Sequence, residues 1–343
     1  MKPIITILAF ITTIVCTAFA SNVREQELTI HNHKENVTLG ATLTTPTAPK
    51  AGIVLATGSG PQNRDEEIGG HKPFKVIAEY LSDRGYAVLR MDDRGVGKSS
   101  GDFSSAINDN FVSDIAAGIS YLDSCYSDIP IGVIGHSEGG TIAIKSAVRN
   151  KKCDFIITLA AAAWQGDSII ISQTRAIEMA ATGRWNTESL LRKCLDIAKS
   201  DIAKSTAESV LFSIITQDVG LNSKSPQMQQ QISHRICELL SPWYRDFLRY
   251  NPEADIKAVN KPWLAINGEL DCQVLPDNLN TIKELNDVVE TVMLPYHNHL
   301  FQECVTGTLD EYRIIPNSIS KQTLEIISAW LDKIICKQIQ KIL

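Results

Sequence analysis

Residues 131–140 read Ile-Gly-Val-Ile-Gly-His-Ser-Glu-Gly-Gly, "IGVIGHSEGG". An apolar run stops at a cluster of glycines with a single hydroxyl among them. The five residues Gly135-His136-Ser137-Glu138-Gly139 match G-x-S-x-G, and "TIAIKSAV" at 141–148 follows with a helical pattern. In a strand-turn-helix setting this spacing puts the serine on a sharp turn with its hydroxyl raised above the sheet edge. The flanking glycines relieve the crowding, and Gly140 lets the new helix pack tightly on neighbouring strands. The turn therefore predicts a nucleophile, Ser137, at the carboxyl end of a buried strand. The N–H of Glu138, at the helix start, would point at a substrate carbonyl oxygen.

Working outward, apolar runs alternate with helical patterns. "AGIVLATGSGP" (51–61), "YAVLRMDDRGVGKSSG" (86–101), "DFIITLAAAA" (154–163) and "KPWLAINGELD" (261–271) read as strands with polar or small-residue exits. Between them, "KPFKVIAEYLSDRG" (72–85) spaces Phe74, Ile77, Ala78 and Leu81 as one helix face, and "NFVSDIAAGISYLDS" (110–124) is helical again. "LGATLTTP" (39–46) alternates like a more exposed strand. Repeated strand-helix-strand order predicts an α/β fold: a doubly wound, mostly parallel sheet with helices on both faces. Residues 164–250 break the pattern and read as helical only, for example "SLLRKCLDIAKSDIAKSTAESVLFSII" (189–215). We expect a helical lid inserted between core strands, with 21–163 and 251–343 forming the core. Ligands of such sheets bind outside the strand carboxyl ends, where the lid would sit.

A serine of this kind needs a base, and the base needs an acid to orient it. In this architecture the chain order is serine, acid, histidine. His297 and His299, in "VMLPYHNHLFQ" (292–302), lie far enough downstream. His136 adjoins the serine and its side chain should point elsewhere; His234 lies in the helical insertion, where a surface role fits. For the acid, the loop after "WLAING" offers Glu269 and Asp271, and Asp271 has the reach to come back towards a histidine. A second amide for the oxyanion should come from "TGSGPQNRDE" (57–66), with Ser59 the expected donor and Gly60 the alternative. Arg64, Asp65 and Glu66 in that loop could line a pocket or form structural ion pairs.

The bulk numbers agree with a soluble globular chain. Of 343 residues, 44% are hydrophobic and 21% charged, with a formal charge of −6. No basic patch suggests nucleic acid. "MKPIITILAFITTIVCTAFA" (1–20) has one lysine, an apolar run short for a stable span, and a small-residue ending at Ala18-Phe19-Ala20. It reads as a secretory signal peptide, so export to the periplasm or medium is expected, with no membrane span after its removal. Seven cysteines would remain, widely spaced, with no C-x-x-C and no histidine at metal spacing. They imply no zinc site, and most are expected to be small buried apolar residues, with room for one disulfide.

Taken together, "TGSGPQNRDE", "HKPFKVIAEYLSDRGYAVLRMDDRGVGKSSG" (71–101), "GHSEGG", "SPWYRDFLRYNP" (241–252), "NGELDCQV" (267–274) and "NHLFQ" (298–302) resemble the α/β-hydrolase superfamily. In particular they resemble a bacterial branch of acyl esterases and serine aminopeptidase-like hydrolases. The resemblance implies Ser137 as nucleophile, Asp271 as acid and His299 as base, and it settles the histidine in favour of His299. It leaves His297 as a neighbour at the pocket rim and makes Arg94 a structural residue holding loops beneath the nucleophile. It implies hydrolysis of a small-molecule acyl ester with no metal or cofactor. A peptidase using the same three residues, with Glu178 or Glu188 holding a substrate amine, and a non-catalytic binding protein are the rival readings.

Overall fold

The computed structural model describes residues 23–220 and 225–342; the expected signal peptide lies outside the described residues. Eight strands form one sheet in the order β1-β2-β4-β3-β5-β6-β7-β8. They are β1 (Arg24–Asn32), β2 (Val37–Thr45), β3 (Ala51–Ala56), β4 (Tyr86–Met91), β5 (Ile131–His136), β6 (Phe155–Leu159), β7 (Trp263–Gly268) and β8 (Val289–Leu294). β1 pairs antiparallel with β2, and β2 antiparallel with β4; every pairing from β4 to β8 is parallel.

β3 to β7 are buried along their whole length. That explains why they read as continuous apolar runs, since parallel strands covered on both faces have no polar side to show. The period of two survives underneath. Ala51, Ile53 and Leu55 pack on one face with α1 (Pro73–Ser82) and α11 (Lys321–Ile342), through Phe74, Ile77, Leu81, Ile327 and Leu331. Val54 and Ala56 face the other side, against α2 (Asn108–Cys125) and α3 (Glu138–Arg149), through Val112, Ile119, Ile142 and Ala143. Pro73 opens α1 where its missing N–H is no loss.

Between β6 and β7 run α4 (Gly166–Thr182), α5 (Glu188–Lys199), α6 (Lys204–Val219), α7 (Pro226–Leu239), α8 (Pro242–Arg249) and α9 (Glu253–Ala258). α10 (Asp277–Leu285) then separates β7 from β8. α9 packs with the sheet-covering helices, through Ile256. α4 to α8 instead gather around an apolar cluster of their own, built on Leu195, Ala198, Leu211, Ile232, Ile236 and Leu248. α8 starts on "SPW": the Ser241 hydroxyl accepts the Tyr244 N–H at 3.2 Å, with Pro242 at the first helical position. That cap sets the helix phase which turns Trp243, Tyr244 and Phe247 inward.

The seven described cysteines are all free thiols. The expectation that most would be buried does not hold, because only Cys153 and Cys194 are; Cys125, Cys237 and Cys336 are exposed. Each of these three lies on a helix, where one turn presents every face and a small apolar residue tolerates water.

Candidate active site

The elbow is built as its glycines require. Ser137 has φ 54°, ψ −118°, a conformation that costs a non-glycine residue free energy. Its N–H is held by the Leu159 carbonyl at 2.8 Å, and its own carbonyl accepts the Gly140 N–H at 2.9 Å. A Cβ on Gly135 would stand 1.9 Å from the Gly139 carbonyl oxygen, and one on Gly139 would stand 2.0 Å from that of Ala56. On Gly140 it would meet the Cβ of Ala161, on the loop after β6, at 2.5 Å. No side chain fits at these three points, so the G-x-S-x-G-G spacing is a steric statement.

Ser137 and His299 line one cavity of about 350 Å³ at the carboxyl edge of the sheet. Asp271, in the loop after β7, is buried, and its Oδ2 accepts the His299 Nδ1–H at 2.8 Å. Its Oδ1 accepts the backbone N–H groups of Gln273 and Val274 at 2.8 and 2.9 Å. With Nδ1 donating to Asp271, the basic lone pair of His299 is on Nε2. Glu269 is exposed and accepts the Tyr296 N–H at 3.4 Å. The two candidate acids are therefore separated by one turn of chain: the carboxylate at 271 returns under the histidine, and that at 269 stays in water.

His297 is not at the cavity rim as expected. It is buried, with Nδ1 2.7 Å from the Pro295 carbonyl and Nε2 2.8 Å from the Ser320 hydroxyl, so it fixes the chain before α11. Residues two apart share a side only while the chain stays straight, and it turns between them: the Phe301 N–H donates to the Asn298 carbonyl at 3.0 Å, which puts His299 in a turn and leaves His297 before it. His234 is exposed beside Glu238. Arg94 binds Asp114 of α2 at 2.8 Å and the Asn110 carbonyl at 3.0 Å, which ties the loop after β4 to α2 rather than to the elbow.

In the loop after β3, Ser59 lines the cavity. The preceding amide is occupied, since Gly58 N–H donates to Glu66 Oε1 at 2.6 Å. Arg64 makes a two-toothed pair with Asp92, at 2.6 and 3.0 Å, and Asp65 pairs with Arg90. Asp93 braces the same loop: its carboxylate accepts the Thr57 hydroxyl at 2.6 Å and the Gln62 N–H at 2.9 Å. Burial pushes Asp93 up to about 8, with the charges of Glu138 and Glu66 acting in the same direction against those two hydrogen bonds.

Glu138 is the first residue of α3, so its N–H has no partner within the helix. Its side chain, unlike its backbone, was not singled out by the motif. Oε1 accepts the Trp243 Nε1–H at 2.9 Å, joining the elbow to α8. Burial pushes this carboxyl up to about 7; Asp246 adds to the effect, while Trp243, Ser59 and Lys145 oppose it. The remaining cavity wall is largely apolar and aromatic, from Ile169, Ile170, Trp243, Phe247, Val274 and Leu309. A smaller space of about 40 Å³ lies behind Gly58 and Glu138, next to Asp93. No Lys or Arg lines either space among the described residues. No group of three or more His, Cys, Asp or Glu side chains suited to a metal ion occurs among them.

Comparisons with known proteins bear on the fold. A family model described as serine aminopeptidase, S33, matches residues 71–237. Esterase EstD of Thermotoga maritima is 23% identical over 312 residues, which is 90% of this chain and 68% of that protein. An esterase of Pyrococcus furiosus superposes with a TM-score of 0.56 at 16% identity, covering 91% of this chain and 93% of the other. Proline iminopeptidase of Mycobacterium smegmatis gives 0.56 at 15% identity, covering 91% and 100%. With its eight-stranded, mostly parallel sheet and its serine elbow after β5, the chain has the α/β-hydrolase fold.

Proposed function

We propose that the protein is a serine hydrolase that cleaves carboxylic esters of small acyl groups. One observation carries the reading: Ser137 and His299 share a cavity while His299 Nδ1 donates to a buried Asp271 at 2.8 Å. Ser137 Oγ attacks the ester carbonyl carbon as His299 Nε2 takes its proton. The tetrahedral oxyanion is held by the N–H groups of Glu138 and Ser59. The C–O bond breaks as His299 returns the proton to the leaving alcohol, leaving an acyl-serine. Water, deprotonated by the same histidine, then releases the acid. No step calls on a metal or cofactor.

The lining supports a neutral acyl ester as substrate. The wall is mostly apolar, and its volume of about 350 Å³ lies at the small end of ligand sites. Helices α4 to α8 act in this reading as a lid, with Ile169, Trp243 and Phe247 facing the substrate. Glu178 and Glu188 do not support the peptidase reading. Glu178 is half-buried and accepts the Asn186 and Thr187 N–H groups, Glu188 is half-buried beside Arg192, and neither lines the cavity. Export on the N-terminal segment belongs to the same proposal. Among the described residues, no helix is long and apolar enough to cross a membrane.

The test is a panel of p-nitrophenyl esters from acetate to decanoate, run beside aminoacyl and dipeptidyl anilides, with Ser137→Ala and His299→Ala as controls. Ester turnover that peaks at short chains and is lost in both variants supports the proposal. Anilide turnover above ester turnover would move the protein to the peptidases. Equal silence of wild type and Ser137→Ala on every substrate would favour a binding protein.

A further inference from the structure

We propose that Glu66 and His136 form a buried carboxylate–imidazolium clamp that positions the oxyanion loop and the histidine loop on either side of Ser137. The inference rests on the roles given to Ser59, Ser137 and His299 above. Both residues belong to the cavity wall, and neither touches the reacting atoms in the mechanism, so they are positioning residues.

The geometry fixes the protons. His136 Nε2 lies 2.9 Å from the backbone carbonyl oxygen of His299, an acceptor with nothing to donate. Nε2 must therefore carry hydrogen. His136 Nδ1 lies 2.9 Å from Glu66 Oε1, and that oxygen already accepts the Gly58 N–H at 2.6 Å. Against an ionised Glu66, a neutral ring with hydrogen only on Nε2 would set two lone pairs against each other. An imidazolium donating from both nitrogens satisfies every contact.

Three catalytic segments meet on this one ring. Through Glu66 it reaches Gly58, the residue before the proposed oxyanion donor Ser59. Through its own backbone it adjoins Ser137. Through the His299 carbonyl it holds the loop that presents the base, and the two imidazole rings lie 4.7 Å apart between centroids, tilted by 47°. Removing the shared proton loosens the oxyanion loop and the base loop together.

The site also bears the marks of a position retained at a cost to stability. Glu66 is fully buried and adopts φ 51°, and its Oε2 has no hydrogen-bond partner among the described residues. An orphaned buried acceptor and a left-handed non-glycine backbone each cost stability. Burial opposes charge on His136, but the charge and hydrogen bond of Glu66, the His299 carbonyl and the charge of Asp271 prevail and raise its proton affinity. The charged and titratable groups facing the ring are Glu66 from the loop after β3, Asp271 from the loop after β7 and His299 from the loop after β8.

The test uses the full chain, labelled with 15N-histidine, together with steady-state kinetics on p-nitrophenyl acetate. In wild type, both His136 nitrogens should give protonated-ring shifts from pH 6 to pH 8. In Glu66→Gln, Nδ1 should be unprotonated at neutral pH, and kcat should fall about ten- to hundredfold with KM within about threefold, somewhat less than the loss of a whole oxyanion donor. Glu66→Asp, which keeps the charge, should recover part of kcat. A neutral His136 ring in wild type at pH 7 overturns the clamp, whether or not any variant folds. So does a folded Glu66→Gln with wild-type kcat. Failure of the parent reading is distinguishable, because Ser137→Ala would then keep wild-type turnover while the ring shifts stayed as stated.

Discussion

Glu138→Gln tests the electrostatics of the elbow by stability rather than rate. The carboxyl sits 7% exposed at the start of α3, and burial raises it from 4.5 to about 7. Below pH 4.5 the group is protonated whether the chain is folded or not. Between 4.5 and about 7 the unfolded chain releases the proton and the folded chain keeps it, so stability falls as pH rises. Above about 7 the loss is complete and constant. A tenfold change in proton affinity is worth about 1.4 kcal/mol, so the whole loss is on the order of 3 kcal/mol. Glutamine keeps a carbonyl oxygen for Trp243 Nε1 and has nothing to titrate. Urea unfolding followed by circular dichroism at pH 5, 6, 7 and 8 should give wild type a decline that Glu138→Gln lacks. The variant should then be the more stable protein at pH 8. Asp93, raised to about 8 mainly by burial, contributes a decline of the same sign to both proteins; losing the charge of Glu138 makes that decline smaller in the variant, which widens the difference in the same direction. Parallel curves for the two proteins would refute the reasoning.

Three further outcomes are expected. Gly139→Ala would drive a Cβ to 2.0 Å from the Ala56 carbonyl and 2.6 Å from that of Thr57, both backbone atoms, so the melting temperature should drop by a loss of about 3 kcal/mol or more. Asp271→Asn leaves the fold intact by circular dichroism but releases His299 from its tautomer, and kcat should fall by about 10⁴. Trp243→Phe keeps the ring against Phe103 and Phe247 while deleting the Nε1 donor to Glu138. It should cost about 1–3 kcal/mol, with faster amide exchange in α8 as the readout.

Legibility differed by the range of the interaction. β3 to β7 could be read because burial on both faces leaves an apolar run of strand length, and α1 because four apolar residues share one helix face. β1 could not: "REQELTIHN" is an edge strand, exposed along most of its length, and it is specified by its pairing with β2. The steric demands around Ser137 were legible because Gly135, Gly139 and Gly140 meet atoms of the elbow and of the strands flanking it. The bonds made by Glu66 and Trp243 were not. Their partners lie 70 and 105 residues away, and a glutamate in a polar loop or a tryptophan in a helical insertion has a local pattern that fits solvent or ordinary packing. Only the parallel topology, which delivers every β-to-α loop to one edge, brings them to the serine.

The same edge is where the backbone is strained. Among the described residues, six other than glycine have positive φ: Asn36, Glu66, Ser137, Ala160, Tyr296 and Phe301. Asn36 turns the β1–β2 hairpin, a place where asparagine is tolerated for its own sake. The other five lie in the loops after β3, β5, β6 and β8, all at the carboxyl ends of parallel strands. Each is held by contacts that sequence proximity does not supply. Glu66 is fixed by Gly58 and His136, Ser137 by the Leu159 carbonyl, and Ala160 by the Ile266 carbonyl at 2.8 Å. The Tyr296 carbonyl accepts the Cys304 N–H at 2.8 Å, and that of Phe301 accepts the Ser320 N–H at 2.8 Å. Strain of this kind persists only where the surrounding structure over-determines it. The core of the sheet, buried and regular, supplies that over-determination, so the loops can hold a hydroxyl, an imidazole and a carboxylate in positions that a relaxed chain would abandon.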